Sequence, residues 1–166
     1  MNKRIIMTVG APGAGKTTWE ASLDKTEWLV LSLDHFRQAL FQDKGFYWTH
    51  VVGKHGMDVR RYVRNLFWFA LRQALADNRF NIALVNTYVY ESHAADDIKA
   101  LGAHEKRLEL VVFDVEAETL WRRNMSRPVS ERLQDKHLAE AITAFFDPKA
   151  WWRDKRWNAT KVEDFK

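Results

Sequence analysis

The stretch whose reading decides the fold is RIIMTVGAPGAGKTTW, residues 4–19. Residues 4–9 form a short, β-rich apolar run and residues 17–23 read as a helix, so this part of the chain runs strand, glycine-rich turn, helix. The turn itself, GAPGAGKT at residues 10–17, satisfies G-x-x-x-x-G-K-[ST] in the context that this pattern requires. Glycines let a loop turn its backbone N–H groups inward around phosphate oxygens, and the helix that follows adds the positive end of its dipole. The expected nucleotide-phosphate set is therefore Gly10, Ala11, Pro12, Gly13, Ala14, Gly15, Lys16, Thr17 and Thr18. Lys16 is expected at the β- and γ-phosphates, and the Thr17 hydroxyl on Mg²⁺.

Working outward, WLVLS (28–32), residues 81–85 and LELVVF (108–113) read as further buried strands. Helices are expected over 34–41, 57–76, 92–101, 116–123 and 130–146. Residues 45–56 read as polar, aromatic and irregular, and the tail 151–166 has no legible structure. Apolar runs alternating with helices indicate an α/β fold: a parallel sheet of about four strands with helices on both faces, in the manner of P-loop kinases. With no repeat, low-complexity tract or Pro/Gly/Ser linker, residues 1–166 read as a single domain.

Composition narrows the function. The chain carries 26 Lys and Arg against 22 Asp and Glu, a formal charge of +4, which suits an anionic partner without demanding one. The absence of cysteine excludes disulfides, a thiolate nucleophile and a Cys-ligated zinc site, and fits a reducing compartment. Asn2-Lys3-Arg4 before an apolar run imitates a signal peptide, but residues 10–16 break the run at once, so a cytoplasmic protein without a membrane span is expected. Eight tryptophans are the anomaly.

A nucleotide site alone does not separate a kinase from a switch. No N-K-x-D guanine signature occurs, and larger motor ATPases need elements that 166 residues hardly accommodate, which leaves a small kinase. Such an enzyme needs a base or orienting group at the acceptor hydroxyl. Asp34 is the candidate, since it follows the second strand at the carboxyl edge of the sheet, where open α/β folds bind ligands. Arg37, one turn on, offers a fork for a substrate phosphate. The plainer alternative is that Asp34 merely caps its helix. Residues 122–130 resemble a kinase lid: Arg123 and Arg127 stand four apart and can face the phosphates together, or simply complement a helix C-terminus that Pro128 ends.

The stretches RIIMTVGAPGAGKTTW (4–19), LDHFRQAL (33–40) and VVFDVEAETLWRRNMSRP (111–128) resemble the kinase half of the bacteriophage polynucleotide 5′-kinase family, in order and at similar spacing. The resemblance implies ATP as donor, Asp34 as general base, Arg37 on the substrate phosphate beside the acceptor hydroxyl, and Arg123 on the transferring phosphoryl group. It also implies a phage-infected bacterial cytoplasm as the setting. One departure stands out. Where that family carries Asp at the end of the third strand, this chain has Asn86 followed by Thr87. Mg²⁺ would then rest on Thr17, phosphates and water, with Asp34 as a further candidate ligand, while Asn86 and Thr87 become candidates for substrate hydrogen bonds.

Residues 44–64 hold Lys44, Lys54, Arg60, Arg61 and Arg64 against Asp58 alone, interleaved with Phe46, Tyr47, Trp48 and Tyr62. Charges that hold phosphates beside rings that stack on bases suit a nucleic acid strand, which makes Trp48, Arg60 and Arg61 substrate-site candidates. The alternative is a solvated loop whose aromatics pack on the core. In the tail, Trp151, Trp152 and Trp157 either stack on a base or staple the C-terminus to the domain, with the staple expected for at least one. The expected activity is ATP-dependent transfer to a polynucleotide hydroxyl, most simply a 5′ end, DNA before RNA. Three alternatives stay open: a phage DNA-modification kinase acting on the hydroxymethyl group of 5-hydroxymethyluracil, a small nucleoside or nucleotide kinase, and a nucleotide-binding regulator or DNA-binding module without turnover.

Overall fold

The computed structural model describes residues 3–41 and 46–162, and Lys44 of the basic stretch lies outside them. Five parallel strands form one sheet in the order β2-β3-β1-β4-β5. β1 (Ile5–Val9) is central and every residue of it is buried, which is why its sequence is an uninterrupted apolar and β-branched run. β3 (Asn81–Leu84) flanks it on one side, with Ile5 opposite Ile82, and β4 (Leu108–Phe113) on the other, with Ile5 opposite Leu108. β2 (Trp28–Leu31) is an edge and is half-buried along most of its length.

The strand order reverses at β1. Chain connections leave β1 toward β3 and β2 on one side and toward β4 and β5 on the other, and the crevice that this creates lies at the carboxyl ends of β1 and β3. Both the glycine-rich loop after β1 and the Asn86–Tyr88 segment after β3 sit there by topology.

The helices are α1 (Lys16–Ala21), α2 (Leu33–Phe41), α3 (Val52–His55), α4 (Met57–Asp77), α5 (Glu91–Leu101), α6 (Ala117–Met125) and α7 (Asp135–Phe146). The periodic residues Val63, Phe67, Leu71 and Leu75 of α4 are buried. Phe67, Leu71 and Leu75 join Ala94, Ile98 and Leu101 of α5 in one core cluster with residues of β1 and β3. A second cluster gathers Ala11 and Ala14 of the glycine-rich loop with Phe113, Leu120, Leu138 and Ile142. Among the described residues no helix is long and apolar enough to cross a membrane.

Three expectations need correction. The sheet has a fifth strand, β5 (Asn158–Val162), which pairs parallel with β4 at the edge. Its first four residues are exposed, so no apolar run announced it. Residues 46–55 are helical rather than irregular: a π-helical turn, Tyr47–Val51, runs into α3 and ends at Gly56, whose φ of 64° a side chain would strain. Aromatic contacts shape that turn, because Phe46 and His50 stack four residues apart while Tyr47 is fully buried beside Phe41. Finally, the helix expected over 130–146 begins at Asp135. A short 3₁₀ turn, Val129–Glu131, precedes it, and buried Asn124 holds the intervening backbone extended by accepting from Leu133 N–H and donating to Leu133 C=O.

Candidate active site

The glycine-rich loop leaves β1 at Gly10, where glycine is required by close approach. A Cβ there would lie 2.9 Å from Phe113 Cβ and 3.3 Å from Ala14 Cβ. Gly13 and Gly15 take φ of 87° and 96°, the left-handed backbone that turns successive amides to one side of the loop. Lys16 Nζ donates to Gly10 O at 2.7 Å and Ala11 O at 2.9 Å, which fixes the ammonium over the loop. A cleft of about 350 Å³ is lined by Gly13, Gly15, Lys16, Thr17, Thr18, Arg123 and Arg127.

The two arginines expected from the lid therefore do reach the loop. Arg123 Nη1 donates to Gly13 O at 3.1 Å, and a Cβ on Gly13 would meet Arg123 Cβ at 3.8 Å and Arg127 Nη2 at 3.9 Å. Arg123 arrives on α6 and Arg127 just beyond its end; this helix begins shortly past β4 and packs Leu120 into the second cluster beside Ala11 and Ala14. Ala11 and Ala14 thus turn their methyl groups to the core, so these two members of the expected set offer a ligand only backbone. The fit to a polyphosphate is good: inward-turned amides, one lysine and two arginines converge on one cleft. Among the described residues there is no group of three metal-ligating side chains, so a divalent cation here would draw on the Thr17 hydroxyl, phosphate oxygens and water, as Mg²⁺ commonly does.

On the other side, Asp34 stands in the first turn of α2, directly after β2, with its side chain 42% exposed. Arg37 Nη1 donates to Asp34 Oδ1 at 2.5 Å. The Arg37 guanidinium lies over the Trp48 ring at 4.9 Å and the Tyr47 ring at 5.4 Å, and Arg60 of α4 lies over the same Trp48 ring at 5.5 Å. Trp48 remains 38% exposed. Arg37 Nε and Tyr47 Oη are buried without a hydrogen-bond partner among the described residues.

Two other arginines of the basic stretch have partners elsewhere. Arg61 pairs with Asp58 at 2.8 Å, both largely exposed, and Arg64 turns inward toward Asp96 and Asp97 at 3.8 Å. Asn86 faces inward as well: Oδ1 accepts the Leu33 N–H at 2.9 Å and Nδ2 donates to Tyr88 Oη at 2.8 Å. Thr87 contributes its carbonyl, which accepts the Gly10 N–H at 3.1 Å. In the tail, Trp151 and Trp152 are buried, and Trp151 Nε1 donates to Tyr88 O at 3.0 Å. These two rings are staples, and half-buried Trp157 packs edge-on against Trp151.

Two ionisable groups missed in the sequence matter to the architecture. Asp97 is fully buried on α5, and burial raises its pKa while hydrogen bonds from Tyr88 and Trp68 and the charge of Arg64 oppose that rise. A carboxylate among the buried positions Ala94, Ile98 and Leu101 was the available signal. Buried Glu20 of α1 meets His35 Nε2 at 3.0 Å, tying the helix after the phosphate loop to the helix that carries Asp34. That contact raises the His35 pKa, against the effect of burial.

A family profile described as an AAA domain matches residues 5–148. The chain belongs to this AAA domain family. Its fold, a five-stranded parallel sheet flanked by helices with a phosphate loop after the central strand, matches P-loop kinases of known structure. A chain in the Pnkp1/Rnl/Hen1 RNA repair complex is similar at TM-score 0.63 and 20% identity over 86% of this chain, but over 44% of that chain. The AAA-family chain thus spans less than half the length of that neighbour. A putative kinase from Chloroflexus aurantiacus matches at TM-score 0.63 and 16% identity, over 98% of this chain and 89% of that one. Shikimate kinase from Bacteroides thetaiotaomicron matches at TM-score 0.50 and 18% identity, over 85% and 77%. No curated protein matches the chain.

Proposed function

We propose that this AAA-family chain is an ATP-dependent kinase that transfers the γ-phosphoryl group to a hydroxyl of a polynucleotide, most simply a 5′-hydroxyl end. The observation that carries the reading is the Asp34, Arg37, Trp48 and Arg60 cluster, together with a cleft built for a polyphosphate. An exposed ring flanked by guanidiniums suits one nucleotide of a strand, with the ring against the base and the charges against phosphates.

Each side chain then has a task. Lys16, Arg123 and Arg127 neutralise the β- and γ-phosphates, and the turned amides of the loop orient them. Asp34, half-exposed and oriented by Arg37, accepts the proton of the acceptor hydroxyl. The acceptor oxygen forms a bond to the γ-phosphorus as the bond from that phosphorus to the β–γ bridging oxygen breaks, leaving ADP. Mg²⁺, held by Thr17 and the phosphates, would supply charge neutralisation at the leaving oxygens. Arg37 and Arg60 hold the phosphate next to the hydroxyl, so charge on the strand raises affinity without taking part in bond making.

The test offers labelled ATP and Mg²⁺ with four acceptors: a 5′-hydroxyl oligonucleotide, end-blocked duplex containing 5-hydroxymethyluracil, free nucleosides, and none. Label on the plain oligonucleotide, as DNA or RNA, is expected. Label on the blocked modified duplex alone would replace the end-directed reading with base modification inside DNA. Label on nucleosides alone would reject a polynucleotide acceptor.

A further inference from the structure

The family resemblance calls for a carboxylate at position 86, and this chain has an amide. The hydrogen bonds around Asn86 give the reason. Asp97 Oδ1 accepts from Trp68 Nε1 at 2.7 Å, and Asp97 Oδ2 lies 2.6 Å from Tyr88 Oη. Tyr88 Oη carries a single proton, and with Asn86 Nδ2 donating to that oxygen the proton goes to Asp97. Tyr88 Oη is then an acceptor toward Asn86, which must present Nδ2, and Asn86 Oδ1 is left to face the Leu33 N–H. A backbone amide only donates, so the requirement is met from that end as well. Every donor in the run points consistently, from Trp68 inward to Asp97 and from Leu33 through Asn86 and Tyr88 to the same carboxylate.

This run ends on the residue before Asp34, and the adjoining backbone holds the phosphate loop. Thr87 O accepts from Gly10 N–H, and Thr8 Oγ1 donates to Asn86 O at 3.0 Å. Tyr88 sits at φ 46°, a left-handed conformation that a non-glycine residue keeps when its surroundings fix it. Here its hydroxyl is bound by Asn86 and Asp97 and its carbonyl by Trp151. Charged or titratable groups near Asp97 include Arg64 at 3.8 Å from α4, neighbouring Asp96, His93 of the same helix, and Tyr88 itself.

We infer that Asn86, Tyr88 and Asp97 are positioning residues which set Asp34 against the phosphate loop, and that their donor order requires an amide at position 86. The inference rests on the proposed role of Asp34 as base. Asn86→Asp would set a carboxylate oxygen against Tyr88 Oη with no proton between them. The new carboxylate would compete with Asp97 for the one hydroxyl proton, in surroundings that already disfavour charge. Restoring the familiar carboxylate therefore lowers activity in this chain.

The experiment is a reciprocal exchange in the full chain. Asn86→Asp and Asp97→Asn are made singly and together, and kcat with the acceptor and KM for ATP are measured for each. The double variant reverses the run: Tyr88 donates to the carboxylate now at position 86, while the amide now at position 97 donates to Tyr88 and still accepts from Trp68. Each single change is expected to lower kcat by on the order of 10²-fold, the loss that a 1 Å misplacement brings, with KM for ATP little changed. The exchange is expected to recover most of that loss. Full kcat in Asn86→Asp, or an exchange variant no better than the worse single, overturns the inference. So does a rise in KM for ATP in step with the fall in kcat, which marks general damage to the fold. Should Asn86→Asp not fold, Tyr88→Phe keeps the ring in place and reads the same kcat loss; an unaltered kcat there is equally fatal. If the wild type labels nucleosides but no polynucleotide, the proposed acceptor class fails alone, and the same ratios are read on the nucleoside. If it labels no acceptor, the kinase reading fails and the inference with it.

Discussion

Trp48→Ala offers the sharpest test of the acceptor side. The ring is flanked by Arg37 at 4.9 Å and Arg60 at 5.5 Å, and it is 38% exposed. At such exposure each cation–π contact contributes about 0.5–1 kcal/mol, so their loss costs the fold about 1–2 kcal/mol. Against a typical stability of about 5–15 kcal/mol the variant still folds. The functional effect is larger in proportion. Removing a ring on which a base stacks forfeits ~1–3 kcal/mol, which is roughly a 5–150-fold rise in KM for the oligonucleotide. Arg37 and Arg60 are retained, so the salt dependence of that KM should keep its slope. Initial rates are measured against oligonucleotide at saturating ATP, then against ATP at saturating oligonucleotide, with Trp48→Phe as the variant that preserves a stacking face. An unchanged oligonucleotide KM in Trp48→Ala, or an equal rise in the ATP KM, would refute the assignment of this ring to the acceptor.

Other outcomes follow from the same geometry. Asp34→Asn is expected to lower kcat by roughly 10²–10⁴ with little change in ATP affinity; an unaltered kcat in steady-state assays would leave Asp34 as a first-turn acid of α2 paired with Arg37. Gly10→Ala forces a Cβ to 2.9 Å from Phe113 Cβ, so it is expected to cost about 1–3 kcal/mol through overpacking. A thermal melt should show a fall in Tm, and an unshifted Tm would mean that the β1 and β4 ends yield without strain. His35 has a raised pKa through Glu20, so its contribution to stability is full below the ordinary value of 6.5 and is lost as pH rises through the folded value. Wild-type Tm should therefore decline from pH 6.5 upward more steeply than that of His35→Asn; parallel pH profiles would show that the Glu20 contact is energetically silent.

What the sequence alone determined is what lies in contiguous, periodic stretches. The phosphate loop, its strand and its helix are local, since backbone conformation at Gly13 and Gly15 and the reach of Lys16 depend on a few adjacent residues. The α/β fold followed from buried runs such as residues 5–9 and 108–113, which parallel pairing explains. Asp34 and Arg37 were legible because they share one turn, and Arg123 and Arg127 because they share a helix end.

The tertiary structure decided what depends on partners distant in the chain. β5 is polar and exposed, so only its pairing with β4 makes it a strand. Arg60 and Arg61 are indistinguishable by sequence, yet a helix turns adjacent residues roughly a hundred degrees apart, and one meets Trp48 while the other pairs with Asp58. Asn86 read as a missing metal carboxylate and a candidate for substrate hydrogen bonds, and its contacts with Leu33 and Tyr88 are visible only in space. The donor order of a hydrogen-bond run is a property of which groups meet in space, and no spacing along the chain records it. The tryptophan surplus divides on the same ground: Trp151 and Trp152 are held by the core, while Trp48 is part-exposed and meets Arg37 and Arg60.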